Sequence, residues 1–212
     1  MTPAARKTVL VKVCGLTRRQ DVDACLQLGV DLLGFIFHPS SPRNVDPAFP
    51  ASIRDPGALK VGVFVKQSVD QVLRIMDQAG LDLAQLHGGQ DLDFCRTVGP
   101  DRVIKVLWPE RCADPEELQK EADRFGSVCS RLLLDAGLSG GGHGRPLDAL
   151  RIGQMTPKTP WMLAGGLGPD NVAQAVAQLN PSAVDLNSGV ESAPGAKDID
   201  KLRAALEALR AR

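Results

Sequence analysis

The sequence has no excess of charge of either sign and few aromatic side chains. Its 25 Lys and Arg residues balance 25 Asp and Glu residues, and aromatic residues make up 4% of its 212 positions. A nucleic-acid-binding surface needs clustered basic residues and, for single strands, rings on which the bases stack. The composition therefore predicts no nucleic-acid partner and favours a small molecule.

Long hydrophobic runs are also missing. No segment approaches the roughly 18 apolar residues that a membrane helix needs, and Lys12 interrupts the first apolar stretch, so no signal peptide is predicted. With 43% hydrophobic and 24% charged residues, the composition is that of a globular protein with a substantial core. We expect a cytoplasmic protein without membrane contact.

The cysteines show neither disulfide nor zinc-ligand spacing. They are odd in number and far apart, without a C-x-x-C pair or a histidine at zinc spacing. The sequence therefore predicts free thiols in a reducing compartment and no metal site. The five positions are Cys14, Cys25, Cys95, Cys112 and Cys129, of which Cys25 and Cys95 are expected to be core residues on helices.

Eight short, nearly continuous apolar runs recur along the chain. Such runs are typical of parallel strands that helices cover on the outside. The predicted strands are 9–13, 32–37, 60–65, 83–86, 102–107, 131–134, 161–164 and 183–186.

Segments with helical periodicity separate the runs. Thr17 is expected to cap the first helix, and Ser68 precedes the apolar positions of the third. Asp114 opens an Asp-Pro-Glu-Glu sequence, which is a typical helix start. Further helices are predicted after 169–171, over 199–209 and, as short Pro-flanked segments, at 47–54 and around 147–152.

A strand and a helix alternate about every 25 residues without a linker, which predicts a closed barrel. The predicted fold is α/β: a compact (β/α)8 TIM barrel with short loops, forming a single domain over residues 1–212. The competing fold is an open doubly wound sheet, which would normally show a switch point and one Gly-rich nucleotide loop.

Chemically capable side chains stand at the predicted strand ends, where such barrels build their active sites. Cys14 ends the first strand, and a nearby cation or helix N-terminus would make its thiol more acidic than the usual pKa of about 8.5. Asp135 ends the sixth, where burial would raise its pKa and suit it to act as an acid; a carboxylate that pairs with a nearby loop is the alternative. Asp185 is a rival carboxylate that can point into the barrel. Arg43 offers a planar fork that suits a substrate carboxylate, although an isolated loop arginine is more often solvated.

Glycine-rich loops follow the last three strands. Gly165 and Gly166, and the segment 187–189, stand where these barrels often bind phosphate through backbone N–H groups, although ordinary tight turns are the alternative. The glycine run at 140–144 is predicted to be a flap beside Asp135. His87 and His38 can hydrogen-bond a ligand. The candidate binding residues are Arg43, His87, Gly142, Gly144, Gly165, Gly166, Asn187, Ser188 and Gly189.

Seven segments lie in order at the predicted strand ends: VKVCGLT at 11–17, GFIFHPSSPR at 34–43, VGVFV at 61–65, QLHG at 85–88, LLLD at 132–135, LAGGL at 163–167 with PDNV at 169–172, and SGVE at 188–191 with PGAKD at 194–198. Together they resemble the phosphoribosylanthranilate isomerase family. The resemblance extends over most of the chain, from about Val11 to Lys201.

The resemblance implies an enzyme of tryptophan biosynthesis that needs no metal or organic cofactor. It would convert N-(5-phosphoribosyl)anthranilate to 1-(2-carboxyphenylamino)-1-deoxyribulose 5-phosphate by an Amadori rearrangement, as a monomer or homodimer. By similarity, Asp135 protonates the furanose ring oxygen, the Cys14 thiolate removes the C2′ proton, and Arg43 holds the anthranilate carboxylate. The glycine loops after strands six, seven and eight correspond to the family's phosphate site.

Two segments depart from the family pattern, and three alternatives stay open. Asn187 replaces a usual serine, and Leu147-Asp-Ala replaces a common Phe-Asp-Trp. A ProFAR isomerase would carry aspartate in place of Cys14, and an indole-3-glycerol-phosphate synthase would need a lysine acid at a strand end. A phosphate-binding protein without catalysis, or a redox sensor built on Cys14, is the alternative of another class, but no resolving cysteine lies nearby in sequence.

Overall fold

The computed structural model describes residues 9–54, 56–136 and 152–211, which form a closed barrel of eight parallel strands. Each strand pairs with its neighbour in sequence order, and β8 closes onto β1. The predicted (β/α)8 barrel is therefore confirmed, and the open sheet is excluded. The strands are β1 (Leu10–Val13), β2 (Leu32–Ile36), β3 (Leu59–Phe64), β4 (Leu83–Leu86), β5 (Val103–Leu107), β6 (Arg131–Asp135), β7 (Trp161–Ala164) and β8 (Ala183–Leu186).

Helices connect the strands on the outside of the barrel, and one antiparallel strand pair is inserted after β8. This pair comprises β9 (Glu191–Ala193) and β10 (Ala196–Lys197). The helix predicted around 147–152 lies outside the described residues except for its last position. The described helices are α1 (Arg19–Gln27), α2 (Ala48–Ala51), α3 (Val69–Ala79), α4 (Leu92–Val98), α5 (Pro115–Gly126), α6 (Val172–Leu179) and α7 (Ile199–Arg210).

Two of the predicted helix caps are confirmed and one is wrong. Ser68 and Asp114 each accept a hydrogen bond from the N–H of the third residue of α3 and α5. Thr17 does not cap α1, which begins two residues later at Arg19. Its hydroxyl instead donates to the carbonyl of Gly195 at 2.6 Å, so that it joins the loop after β1 to the turn between β9 and β10.

The barrel interior changes from apolar to polar towards the carboxyl ends of the strands. Because side chains alternate along a strand, each strand directs one set inward and the other against the helices. Lys12, Gln85 and Asp185 are buried polar side chains of strands β1, β4 and β8. Apolar side chains fill the rest of the interior: Leu32, Val61, Ile104, Val106, Leu133, Met162, Ala164 and Ala183.

All five cysteines are free thiols, as the sequence predicted. Cys25 and Cys95 are fully buried on α1 and α4 and belong to the core between barrel and helices. Within the described ranges, no helix is both long and apolar enough to cross a membrane.

Candidate active site

A cavity of about 250 Å³ lies among residues at and just after the carboxyl ends of the strands, and it brings together most of the side chains predicted from the sequence. Every strand except β5 contributes to its lining, either itself or, for β1, through Cys14, which directly follows it. Both proposed proton-transfer groups, Cys14 and Asp135, belong to it. The other predicted residues in its lining are His38, Arg43, His87, Gly165, Gly166, Asp185, Asn187 and Ser188.

Cys14 directly follows β1, where its amide donates to the Leu186 carbonyl at 2.8 Å and ties it to β8. Burial raises the pKa of the thiol, and the neighbouring Lys12 ammonium acts in the opposite direction. A cation of the kind expected from the sequence thus lies near this thiol, but the effect of burial on its pKa is larger than that of the cation.

Lys12 and Asp185 form a buried ion pair beneath Cys14. The Lys12 ammonium lies 2.9 Å from both carboxylate oxygens, and its side chain is 0% exposed. Burial alone would lower the pKa of Lys12, but the Asp185 carboxylate, together with the Cys14 thiol, raises it. Lys12 is therefore held as an ammonium, fully buried behind the cavity lining to which Cys14 and Asp185 belong.

Asp135 faces His87 across the cavity. The side chain of Asp135 is 15% exposed, and its Oδ2 lies 3.8 Å from Nε2 of His87. Burial, reinforced by nearby cations, lowers the pKa of His87 to about 4, so the imidazole is neutral at neutral pH. The amide nitrogen of Gln85 lies 3.3 Å from Nδ1. Gln85 therefore contacts the ring through Nδ1, and Asp135 lies on the Nε2 side.

Arg43 lines the cavity, but Glu191 already engages its guanidinium. The carboxylate lies 2.6 Å from Nη2 and 2.9 Å from Nε. Glu191 also accepts a hydrogen bond from Lys197 at 2.9 Å, and Lys197 donates to the side chain of Asn187 at 3.0 Å. Gly15 makes this arrangement possible, since a Cβ there would lie 2.6 Å from the Arg43 Cδ.

The glycine loops after β7 and β8 have different roles. Gly165 and Gly166 adopt φ values of 111° and 65°, which favour glycine, and both line the cavity. Gly189 is held against the neighbouring loop, because a Cβ there would lie 2.1 Å from the Leu167 carbonyl oxygen. Gly142 and Gly144, with the predicted flap, lie outside the described residues.

Sequence reasoning gave no role to four buried polar residues around this cavity. Lys12 could have been found, because a strand with a period of two places it on the same face as Cys14. Glu191 and Lys197 lie in segments that carried the family resemblance, but their pairing depends on the β9–β10 turn. Gln85 has a buried Oε1 that accepts no hydrogen bond from the part of the chain that the structure describes.

Metal ligands are not grouped in this molecule as far as it is described. Over 9–54, 56–136 and 152–211, no three His, Cys, Asp or Glu side chains are placed to hold an ion. The expectation of a reaction without a cofactor stays a prediction.

Comparison with known proteins identifies one family. The family model described as N-(5'phosphoribosyl)anthranilate (PRA) isomerase matches residues 11–208. The N-(5'-phosphoribosyl)anthranilate isomerase of Maridesulfovibrio salexigens is 54% identical over 202 residues, which cover 95% of this chain and 98% of that protein.

Solved structures show the same similarity. The phosphoribosylanthranilate isomerase of Thermotoga maritima has a TM-score of 0.86 and 30% identity, covering 96% of this chain and 100% of that one. A phosphoribosylanthranilate isomerase in complex with reduced 1-(o-carboxyphenylamino)-1-deoxyribulose 5-phosphate has a TM-score of 0.78 and 28% identity, with the same coverage.

Proposed function

The chain belongs to the N-(5'-phosphoribosyl)anthranilate isomerase family, and on that premise we propose that Cys14 is the base and Asp135 the acid of its reaction. The protein is an isomerase of tryptophan biosynthesis. It converts N-(5-phosphoribosyl)anthranilate to 1-(2-carboxyphenylamino)-1-deoxyribulose 5-phosphate, an Amadori rearrangement from aldose to ketose. Such a shift needs one proton donor and one proton acceptor around a bound sugar.

Asp135 acts first. Its carboxyl group gives a proton to the furanose ring oxygen, the bond between C1′ and that oxygen breaks, and a protonated Schiff base forms between C1′ and the anthranilate nitrogen. The neutral His87 imidazole, whose Nε2 lies 3.8 Å from Oδ2 of Asp135, borders the carboxylate that remains.

Cys14 acts second. Its thiolate removes the C2′ proton, and the electron pair of that C–H bond neutralises the Schiff base to give an enolamine, which tautomerises to the ketose. The observation that carries this assignment is that thiol and carboxyl group, at the ends of β1 and β6, line one cavity. General acid and base catalysis each contribute about 10²- to 10⁴-fold.

The remaining candidate residues bind the two charged ends of the substrate. Arg43 receives the anthranilate carboxylate, and His87 borders the sugar. Backbone N–H groups and small side chains of the loops after β6, β7 and β8 receive the phosphate: Gly142, Gly144, Gly165, Gly166, Asn187, Ser188 and Gly189. A phosphorylated small molecule is therefore the partner, and the expectation of a monomer or homodimer is checked by measuring the mass in solution.

Two measurements test the proposal. Freshly prepared N-(5-phosphoribosyl)anthranilate, followed by its fluorescence, should be consumed as enzyme is added. Reduced 1-(o-carboxyphenylamino)-1-deoxyribulose 5-phosphate should slow the alkylation of Cys14 by iodoacetamide, with the partly exposed Cys112 as the internal control. Unchanged alkylation of Cys14 at a saturating concentration of this compound would remove it from the substrate site.

A further inference from the structure

We propose that Lys12 is the counter-ion of the Cys14 thiolate, and that Asp185 holds this ammonium charged beneath the sulfur. The inference rests on the proposed role of Cys14 as the base. Lys12 acts through Cys14 rather than on the substrate, and it is therefore a positioning residue.

The geometry places the two side chains together in a shielded position. Lys12 and Cys14 are two residues apart at the end of β1, so both side chains point into the barrel. The neighbouring Gly34 leaves a gap that both border: a Cβ built on it would lie 3.0 Å from the Cys14 sulfur and 3.1 Å from the Lys12 nitrogen. The ammonium is near enough to the sulfur to lower the pKa of the thiol.

A thiolate in this buried position requires a compensating charge, because burial disfavours the charged form. Four charged groups face the sulfur: Lys12 from β1, Asp185 from β8, Lys197 from β10 and Arg43 from the loop after β2. Each of these cations already has a carboxylate partner: Arg43 and Lys197 share Glu191, and Lys12 pairs with Asp185. Among them Lys12 lowers the pKa of the thiol most and borders the same gap as the sulfur, so it is the cation best placed to stabilise the thiolate.

Asp185 has two opposite effects on the sulfur. Its contacts of 2.9 Å preserve the charge of Lys12 against burial. Its own negative charge also disfavours a second anion nearby. When Cys14 ionises, its proton passes to solvent, and the single positive charge of Lys12 then faces two anions, Asp185 and the thiolate. In Asp185→Asn the Cys14 thiolate takes the place of the carboxylate as the partner that keeps Lys12 charged, so the thiol should become more acidic.

The test compares Asp185→Asn with the double variant Lys12→Met/Asp185→Asn, which differ only in the ammonium. The rate of Cys14 alkylation by iodoacetamide is measured against pH by mass spectrometry of the peptide that contains it. We expect the pH at which alkylation reaches half its maximal rate to be at least about one unit higher in the double variant than in Asp185→Asn. This shift corresponds to a tenfold smaller thiolate fraction below the midpoint. The acidic limb of kcat/KM should shift in the same direction. Coincident midpoints would overturn the proposal.

Lys105→Met is the matched control for the loss of a buried lysine. Lys105 is similarly buried but donates to the Gly88 carbonyl and lies over the Phe125 ring. Its replacement should leave the Cys14 midpoint unchanged, and a shift as large as that from loss of Lys12 would contradict a specific counter-ion.

Asp185→Asn alone keeps the proposal testable if the double variant does not fold. Its Cys14 midpoint should fall below that of the unmodified protein, whereas an equal or higher midpoint would refute the role of Lys12. Alkylation reports thiol acidity without turnover, so the two ideas fail separately. Activity that survives Cys14→Ala removes the base role, while coincident midpoints remove only the counter-ion.

Discussion

Arg43 and Glu191 form a bidentate ion pair at the edge of the active-site cavity, with the guanidinium Nη2 2.6 Å and Nε 2.9 Å from the carboxylate. The pair joins the loop after β2 to β9, which are 148 residues apart in sequence. Two nitrogens of the fork are thereby fixed, which orients a cation at the place where the substrate carboxylate is proposed to bind.

Replacement of Arg43 should therefore weaken substrate binding more than it slows the chemical step. We expect Arg43→Ala to raise KM about tenfold or more while kcat falls less, because a charge-assisted contact is lost in the ground state and the transition state alike. Glu191→Gln keeps the arginine but removes the carboxylate that orients its guanidinium, so it should raise KM less than Arg43→Ala does. Steady-state kinetics on both variants decides this, and a change confined to thermal stability would indicate a structural role for Arg43.

Loss of either proposed proton-transfer group should reduce turnover without unfolding the protein. Cys14→Ala and Asp135→Asn should each lower kcat by about 10²-fold or more. Cys112→Ala removes a thiol outside the cavity lining and should retain normal kcat. Circular dichroism checks the fold, and a near-normal kcat in Cys14→Ala or Asp135→Asn excludes that residue from its role.

Gly34 should not tolerate a side chain. In Gly34→Ala the new Cβ would lie 2.9 Å from the Cys14 Cα, a backbone atom that can move only with the end of β1. We expect a loss of about 1 to 3 kcal/mol in the free energy of unfolding, together with a lower kcat. Gly89→Ala is the matched control, because a Cβ there would meet no atom of the described residues within 4 Å. Equal stability of the two variants in urea would contradict the close packing around Cys14.

His87 should make the protein less stable in mild acid. Burial holds its pKa at about 4 against 6.5 for the ordinary group, so between these values the unfolded chain binds a proton that the folded protein does not. The free energy of unfolding is fully retained above pH 6.5 and falls as the pH drops towards 4, by about 1 to 3 kcal/mol for this partly exposed ring. In His87→Gln this part of the pH dependence should disappear. Urea titrations at pH 7 and pH 4.5 give the loss in the free energy of unfolding for each protein. An equal loss in His87→Gln and the unmodified protein would exclude a neutral buried imidazole.

The sequence predicted the barrel because the signal repeats eight times. Each strand is an apolar run that is almost fully buried, so its position differs by at most two residues from the predicted one. Thr17 shows where local reasoning fails. Hydroxyl residues before a helix usually cap it, but the Gly195 carbonyl, 178 residues away in sequence, binds this one instead.

The active site was only partly predictable for the same reason. Cys14 and Asp135 are visible because a strand end locates them. The ion pairs near Cys14, Lys12 with Asp185 and Arg43 with Glu191, form only when the barrel closes. No local pattern reports such pairings.

The contacts that close the barrel between β8 and β1 determine when, during synthesis, the active site can form. Lys12 meets Asp185 across a sequence separation of 173 residues, and Thr17 meets the turn beyond β9 across 178. Cys14 is therefore synthesised early in a nascent chain. The charged groups that surround it in the folded protein are complete only after β8 and the residues beyond it have been synthesised. We therefore expect activity only after the last strand and helix have been synthesised. Truncated chains should contain Cys14 but have no isomerase activity.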